Sequence, residues 1–245
     1  MIYGGIFILK LIITKASEII LVFLITVSLS LTVVYRMLND ELFVEASYAP
    51  NYKNIIILDA GHGGEDCGAI GVSGVYEKDL NLLIAFEIGR ILEEKGLAVI
   101  YTRTDDKLLY KEEENIKGIR KISDLKNRCK IALNYPDGIF VSIHMNSFSQ
   151  SKYSGLQVYY SVNNSGSKIL ADKIQESVRG SFQTTNDRKI KSGTGLYLMD
   201  NINNPAVLIE CGFLTNESEC KKLSEKEYQN QLSFAIVCGI IEYIK

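Results

Sequence analysis

Apolar positions are spread unevenly along this chain. Residues 19–35 (IILVFLITVSLSLTVVY) form an uncharged apolar run between Glu18 and Arg36. At ~1.5 Å per residue the run covers ~25 Å as a helix, close to the ~30 Å hydrocarbon core of a bilayer. Lys10 and Lys15 lie before it, and Asp40, Glu41 and Glu45 follow Arg36. This asymmetry predicts a membrane segment with its amino end in the cytoplasm and the remaining chain outside. Two readings of it stand: an uncleaved signal anchor, or a cleaved signal peptide with a site near Val44-Glu45-Ala46. Residues 2–14 are also apolar and receive no assignment. Domain organisation follows: residues 1–49 hold the cytoplasmic end, the anchor and a short linker, and residues 50–245 form one catalytic-sized domain.

From about Pro50 the pattern changes to alternating strands and helices. Residues 54–59 (NIIILD) read as a buried strand running into a glycine cluster. Residues 79–95 carry apolar positions at helical spacing and stop at Gly96. Residues 97–101 (LAVIY) are a second buried strand, so a βαβ unit with a parallel pair is expected. Residues 105–121 are dense in charge and read as a loop or a solvated helix. Residues 123–134 predict a helix capped by Ser123, and Pro136-Asp137-Gly138 a turn. Residues 138–144 and 155–161 predict strands, 167–182 an amphipathic helix, 195–199 and 206–210 further strands, and 226–244 a final helix. The alternation predicts an α/β domain: a single mixed, mostly parallel sheet with helices on both faces, preceded by the N-terminal membrane helix.

Composition narrows the function. The chain has 245 residues, 47% of them apolar, and a formal net charge of −2. The apolar share excludes disorder as the main state, and the missing basic excess excludes a nucleic-acid binder. Only 3 prolines are present, so there is no Pro-rich stalk. The 5 cysteines are odd in number and form no CxxC pair, which excludes a complete disulfide framework.

The chain has only 2 histidines, and each ends a buried strand. His62 follows the first strand in DAGHGG, and His144 closes the third in SIHMN. A single histidine is usually a satisfied polar group, but two at strand ends suggest a metal site. Ligands on such sheets collect at the carboxyl ends of the strands. A catalytic zinc takes three protein ligands and leaves one position open. Glu77, at the start of the first helix, is a candidate third ligand; a carboxylate that merely complements the helix dipole explains it equally well. Cys67 near His62 and Cys211 beside Glu210 are weaker alternatives. HExxH, GxSxG and GxxxxGK[ST] are all absent, so helix-borne zincins, nucleophile-elbow hydrolases and P-loop enzymes are excluded.

Taken in order, DAGHGGEDCGAIG, GVYEKDLNL, VIYTRTDD, LKNRCKIAL, FVSIHMNSF and VLIECGFLTNESEC resemble the zinc-dependent N-acetylmuramoyl-L-alanine amidases. The resemblance covers residues 54–245. Within the family, residues 195–219, the lone membrane segment and the lack of wall-binding repeats are most similar to the germination-specific branch. That branch prepares spore cortex for muramic δ-lactam. The resemblance implies one zinc on His62, Glu77 and His144, with Glu210 as the catalytic glutamate. It implies a peptidoglycan substrate, cleaved between the lactyl group and L-alanine, at the outer face of the membrane, in the wall or in the cortex. Asn146 is a weaker candidate for orienting substrate. Arg128 matches a recurrent basic position, for which a structural ion pair is the favoured role. Cys67 and Cys211 replace other small residues of the family pattern. Residues 105–121 look too short and polar to supply the self-blocking helix of some members. With no wall-binding module, an activating or targeting partner has a place. A stem-peptide zinc peptidase and a silent wall-binding scaffold are the competing functions.

Overall fold

The computed structural model describes residues 55–116 and 118–245, with seven helical positions between residues 23 and 31. The chain divides into two units, Met1–Tyr52 and Lys53–Lys245. In the first, the described positions are exposed. Thr26 and Ser30 return their hydroxyl protons to the carbonyls of Phe23 and Thr26, so neither is a bare donor on an apolar helix. The rest of the expected membrane segment lies outside the described residues. Among those described, no helix is long and apolar enough to cross a membrane.

The second unit is built on one six-stranded sheet. Its strands are β1 (Ile55–Ala60), β2 (Ala98–Tyr101), β3 (Ile139–Asn146), β4 (Gln157–Tyr160), β5 (Lys191–Ser192) and β6 (Ala206–Phe213). They lie in the order β2-β1-β3-β6-β4-β5. β1 pairs in parallel with β2 and β3, β3 with β6, and β4 with β5; only β4 and β6 run antiparallel. The expected mixed, mostly parallel sheet and the first βαβ unit are therefore present.

Burial on both faces explains why the central strands are continuous apolar runs rather than alternating ones. Ile56, Leu58 and Ala60 of β1 face a large core formed with α1 (Glu77–Glu94), α3 (Ser165–Ser181) and α6 (Lys226–Ile244). Ile55 and Ile57 face a smaller core beneath α2 (Arg120–Leu133) and the short α4 (Tyr197–Asn201). Along α1, Leu80, Ile84, Ile88 and Leu92 recur every fourth residue and are buried. Helices α3 and α6 approach so closely that a Cβ on Gly239 would lie 2.5 Å from the Ile174 backbone. The short helix α5 spans Glu217–Leu223, between β6 and α6.

Three local expectations change. Ser123 does not cap α2: the helix starts three residues earlier, and Ser123 donates its hydroxyl to Glu114 from within the first turn. Residues 195–199 do not form a strand; Tyr197–Asn201 is a helical turn whose Leu198 and Met199 fill the smaller core. A short apolar run cannot distinguish these states by period alone. Helix α1 begins at Glu77 rather than at residue 79, so Glu77 belongs to its first turn. Within residues 105–121 the described backbone holds a 3-10 turn at Glu112–Glu114 and loop, before α2 begins at Arg120.

Candidate metal centre and active site

The reactive residues meet where β1, β3 and β6 end. The loop after β1 is shaped by its carbonyl oxygens, which buried cations hold. Arg128 donates to the carbonyls of Ala60 and His62, and Arg103 to those of Ala60, Gly61 and Lys78. Asn81 on α1 adds a bond to Gly61. Held this way, His62 adopts φ 62°, a left-handed conformation uncommon outside glycine. Gly61 is required here, because a Cβ would lie 2.2 Å from the His144 ring. Gly68 is required for a similar reason: at φ +66° its Cβ would strike Glu77 and His62.

This clamp rests on a buried polar network. Asp59, on β1, accepts from Arg128 at 2.6 Å, from Thr102 at 2.7 Å and from Ser142 at 2.6 Å. Burial works against its charge, but Arg128 and the two hydroxyls outweigh it and keep the carboxyl below its ordinary range. Asp124 on α2 holds the other side of the Arg128 guanidinium at 2.8 Å. Arg128 is thus only 1% exposed and occupied by carboxylates and backbone.

His62, Glu77 and His144 come together, each offering a ligand atom within 4.8 Å of the others. Glu77 Oε1 lies 3.2 Å from His62 Nε2 and 2.9 Å from His144 Nδ1. The amides of Met145 and Ala69 donate to its two oxygens and fix the carboxylate in place. Burial resists ionisation of Glu77, yet the two imidazoles outweigh it and hold the group well below the carboxylate range. His62 Nδ1 lies 3.0 Å from Asp66 Oδ2. Burial disfavours the imidazolium, but Asp66 and Glu77 overcome it and push His62 up to about 9. Two imidazoles and one carboxylate, converging in a half-buried pocket with an outer carboxylate on one ring, suit a divalent metal of the zinc type. Neither Cys67 nor Cys211 belongs to this cluster among the described residues. Cys211 is fully buried and joins the larger core on the opposite face.

Glu210 enters from the neighbouring strand. It is the register partner of His144 across the parallel β3–β6 pair, so both side chains leave the same face. Its Oε2 is out of solvent and has no hydrogen-bond partner. Burial raises its pKa to about 7, with His144 pulling down and Glu77 pushing up. A carboxyl of that pKa, with one unpartnered oxygen and on the same sheet face as His144, is suited to moving protons near neutrality.

Asn146 lies at the end of β3, past a register shift that separates it from His144. With Phe148, Gln157, Tyr159, Arg188 and Phe213 it borders a cleft of about 330 Å³. A smaller cavity of about 50 Å³ reaches His62 and His144 beside Asp66 and Arg128. Sequence reasoning assigned no role to Asp59, Asp66, Arg103 or Arg188. Asp66 follows His62 by four residues and could have been marked by that spacing; Arg188 sits in a polar loop with no signal around it.

The chain is similar over most of its length to known proteins. Residues 56–242 match the model of a family described as N-acetylmuramoyl-L-alanine amidase. The germination-specific N-acetylmuramoyl-L-alanine amidase of Bacillus subtilis is 37% identical over 209 residues, 85% of this chain and 87% of that relative. The CwlD amidase of Clostridioides difficile, solved in complex with the GerS lipoprotein, is 46% identical with a TM-score of 0.74, covering 77% of this chain and 97% of that one. The catalytic domain of CwlV from Bacillus (Paenibacillus) polymyxa is 34% identical with a TM-score of 0.65, covering 78% and 97%. A match of this extent, on a sheet that brings the reactive strand ends together, assigns the chain to the N-acetylmuramoyl-L-alanine amidases, enzymes that hydrolyse peptidoglycan.

Proposed function

We propose that this amidase is zinc-dependent, with His62, Glu77 and His144 as the metal ligands and Glu210 as the catalytic acid–base residue. The observation that carries the reading is the register of β3 and β6, which sets an unpartnered glutamate beside the His–Glu–His cluster. When bound, zinc supplies a Lewis acid that polarises the scissile carbonyl and makes water acidic enough to attack near pH 7. Glu210 accepts the proton lost by the attacking water as the new carbon–oxygen bond forms. It then returns that proton to the departing nitrogen of L-alanine as the carbon–nitrogen bond breaks. Asp66 holds the His62 ring, and Arg128 and Arg103 hold the backbone that carries it. Asn146, on the rim of the cleft, orients the substrate.

The cellular role proposed is maturation of spore cortex toward muramic δ-lactam, supported by the likeness to the germination-specific relative. Action outside the cytoplasm, with residues 19–35 as anchor or cleaved signal, accords with a cell-wall substrate. A protein partner is part of this reading, supported by the complex of the C. difficile relative with a lipoprotein. Metal content and muropeptide products, measured on the same preparation of the full chain, test the proposal. About one zinc per chain and peptides released with a free L-alanine amine are expected. Shortened stem peptides would instead make it a peptidase, and a metal-free protein that cleaves at full rate would remove zinc from the reaction.

A further inference from the structure

The cleft beside Glu210 is lined by cationic side chains that form no ion pair among the described residues. Gln157 on β4, which lines it, is the antiparallel register partner of Glu210 on β6, so the cleft begins one strand away from the catalytic carboxyl. Arg188 and Lys191 both line it, and none of the lining residues is acidic, although the protein as a whole has net charge −2. Arg188 is half-buried and held in a fixed pose. Its Nε donates to the Ser154 carbonyl at 2.9 Å and one terminal nitrogen to Gln157 Oε1 at 2.9 Å. Its guanidinium stacks on the Phe213 ring at 4.4 Å and faces Tyr153 at 5.8 Å. Both hydrogen-bond acceptors are neutral. Glu219 is within electrostatic reach, but its two oxygens already accept the amides of Gly155 and Phe213. A stacked, oriented guanidinium with a nitrogen to spare is suited to bind a planar carboxylate.

We propose that this cleft holds the peptide half of the substrate, with Arg188 pairing with a carboxylate on the residue next to L-alanine and Lys191 adding attraction at the rim. The inference rests on the amidase reading and adds to it a substrate class: stems in which that carboxylate is free, in preference to stems in which it is amidated. Arg188 is a specificity residue here and takes no part in proton transfer. The ring of Phe213 supplies the platform, and Gln157 fixes one end of the guanidinium.

Two probes differing in one group test it: N-acetylmuramoyl-L-alanyl-D-glutamate and the same compound with D-isoglutamine, each given to the zinc-loaded full chain. A charge-assisted pair of this kind predicts a preference for the acid of about 10-fold or more, expressed in KM with kcat little changed. Arg188→Gln abolishes the preference and Arg188→Lys restores part of it. Calorimetry with L-alanyl-D-glutamate and L-alanyl-D-isoglutamine reads binding without turnover, and the same order is expected. Equal KM for the two probes in the wild type, or an unchanged preference in Arg188→Gln, overturns the proposal while leaving the amidase intact. Binding that depends on Arg188 without any hydrolysis would retain the cleft assignment and remove the amidase reading. Neither binding nor hydrolysis would remove both.

Discussion

In the proposed mechanism a single side chain, Glu210, controls proton transfer. Its carboxyl is shielded, lacks a partner at Oε2 and has a pKa of about 7 in the metal-free chain. A bound dication favours the ionised form, so the acid limb of kcat/KM is expected at or below pH 7, with activity rising as Glu210 loses its proton. Glu210→Gln should keep its zinc, lose that limb and lower kcat by about 10²–10⁴-fold. A pH–rate profile with metal analysis on both proteins checks this; wild-type turnover in the variant would exclude Glu210 as the base. In the sequence, the role proposed for Glu210 comes from family resemblance alone. Nothing in AVLIECGF distinguishes a catalytic glutamate from a polar residue at a strand end. His62 and His144 were legible from the residues themselves, because imidazoles that close apolar strands are unusual.

Among the elements, α2 matters less for its apolar face than for what Arg128 fastens. This one side chain ties α2 through Asp124 to β1 through Asp59 and to the carbonyl of His62. Removing one member of a buried ionic network leaves the others charged and unpaired, which costs about 3–5 kcal/mol. Arg128→Leu should therefore lower the urea midpoint by that equivalent, and adding Asp59→Asn should recover part of the loss. Independent, additive effects of the two substitutions would show that the pair is not coupled. The Asp59 carboxyl stays below its ordinary range, so the stability it contributes is present at neutral pH and is lost on acidification. Element boundaries were less legible than element types. Ser123 is a residue type that favours caps, but α2 starts earlier because Ile119 accepts its backbone amide.

Across the whole catalytic unit, the proposed zinc would couple metal binding to folding. Without metal, Glu77 is held by protonated His62, whose pKa is raised from 6.5 to about 9. A raised histidine pKa stabilises the fold fully below pH 6.5, and this contribution disappears as pH rises through about 9. A metal must displace the proton from His62, so zinc should bind more tightly as pH rises and release protons near pH 7. Free zinc at about 1,000 times Kd should stabilise the unit by about 4 kcal/mol and raise Tm, and a chelator should reverse the gain. The expected signature is a zinc-dependent Tm shift that grows from pH 6 to pH 8. A shift that shrinks over this range would contradict the coupling.

The α/β class, the strands β1, β3 and β6 and the long helices α1 and α6 follow from patterns within a few neighbouring residues. β-branched runs bounded by glycine make buried strands, and apolar positions every three or four residues make helices. Such information is local, so one chain suffices to read it. The pairing of Glu210 with His144, the shared use of Glu77 by two histidines, and the setting of Arg188 between Phe213 and Gln157 belong to another kind of information. They join residues well separated in sequence. Strand order and register bring them together, because each strand must hydrogen-bond its neighbours and bury both faces at once.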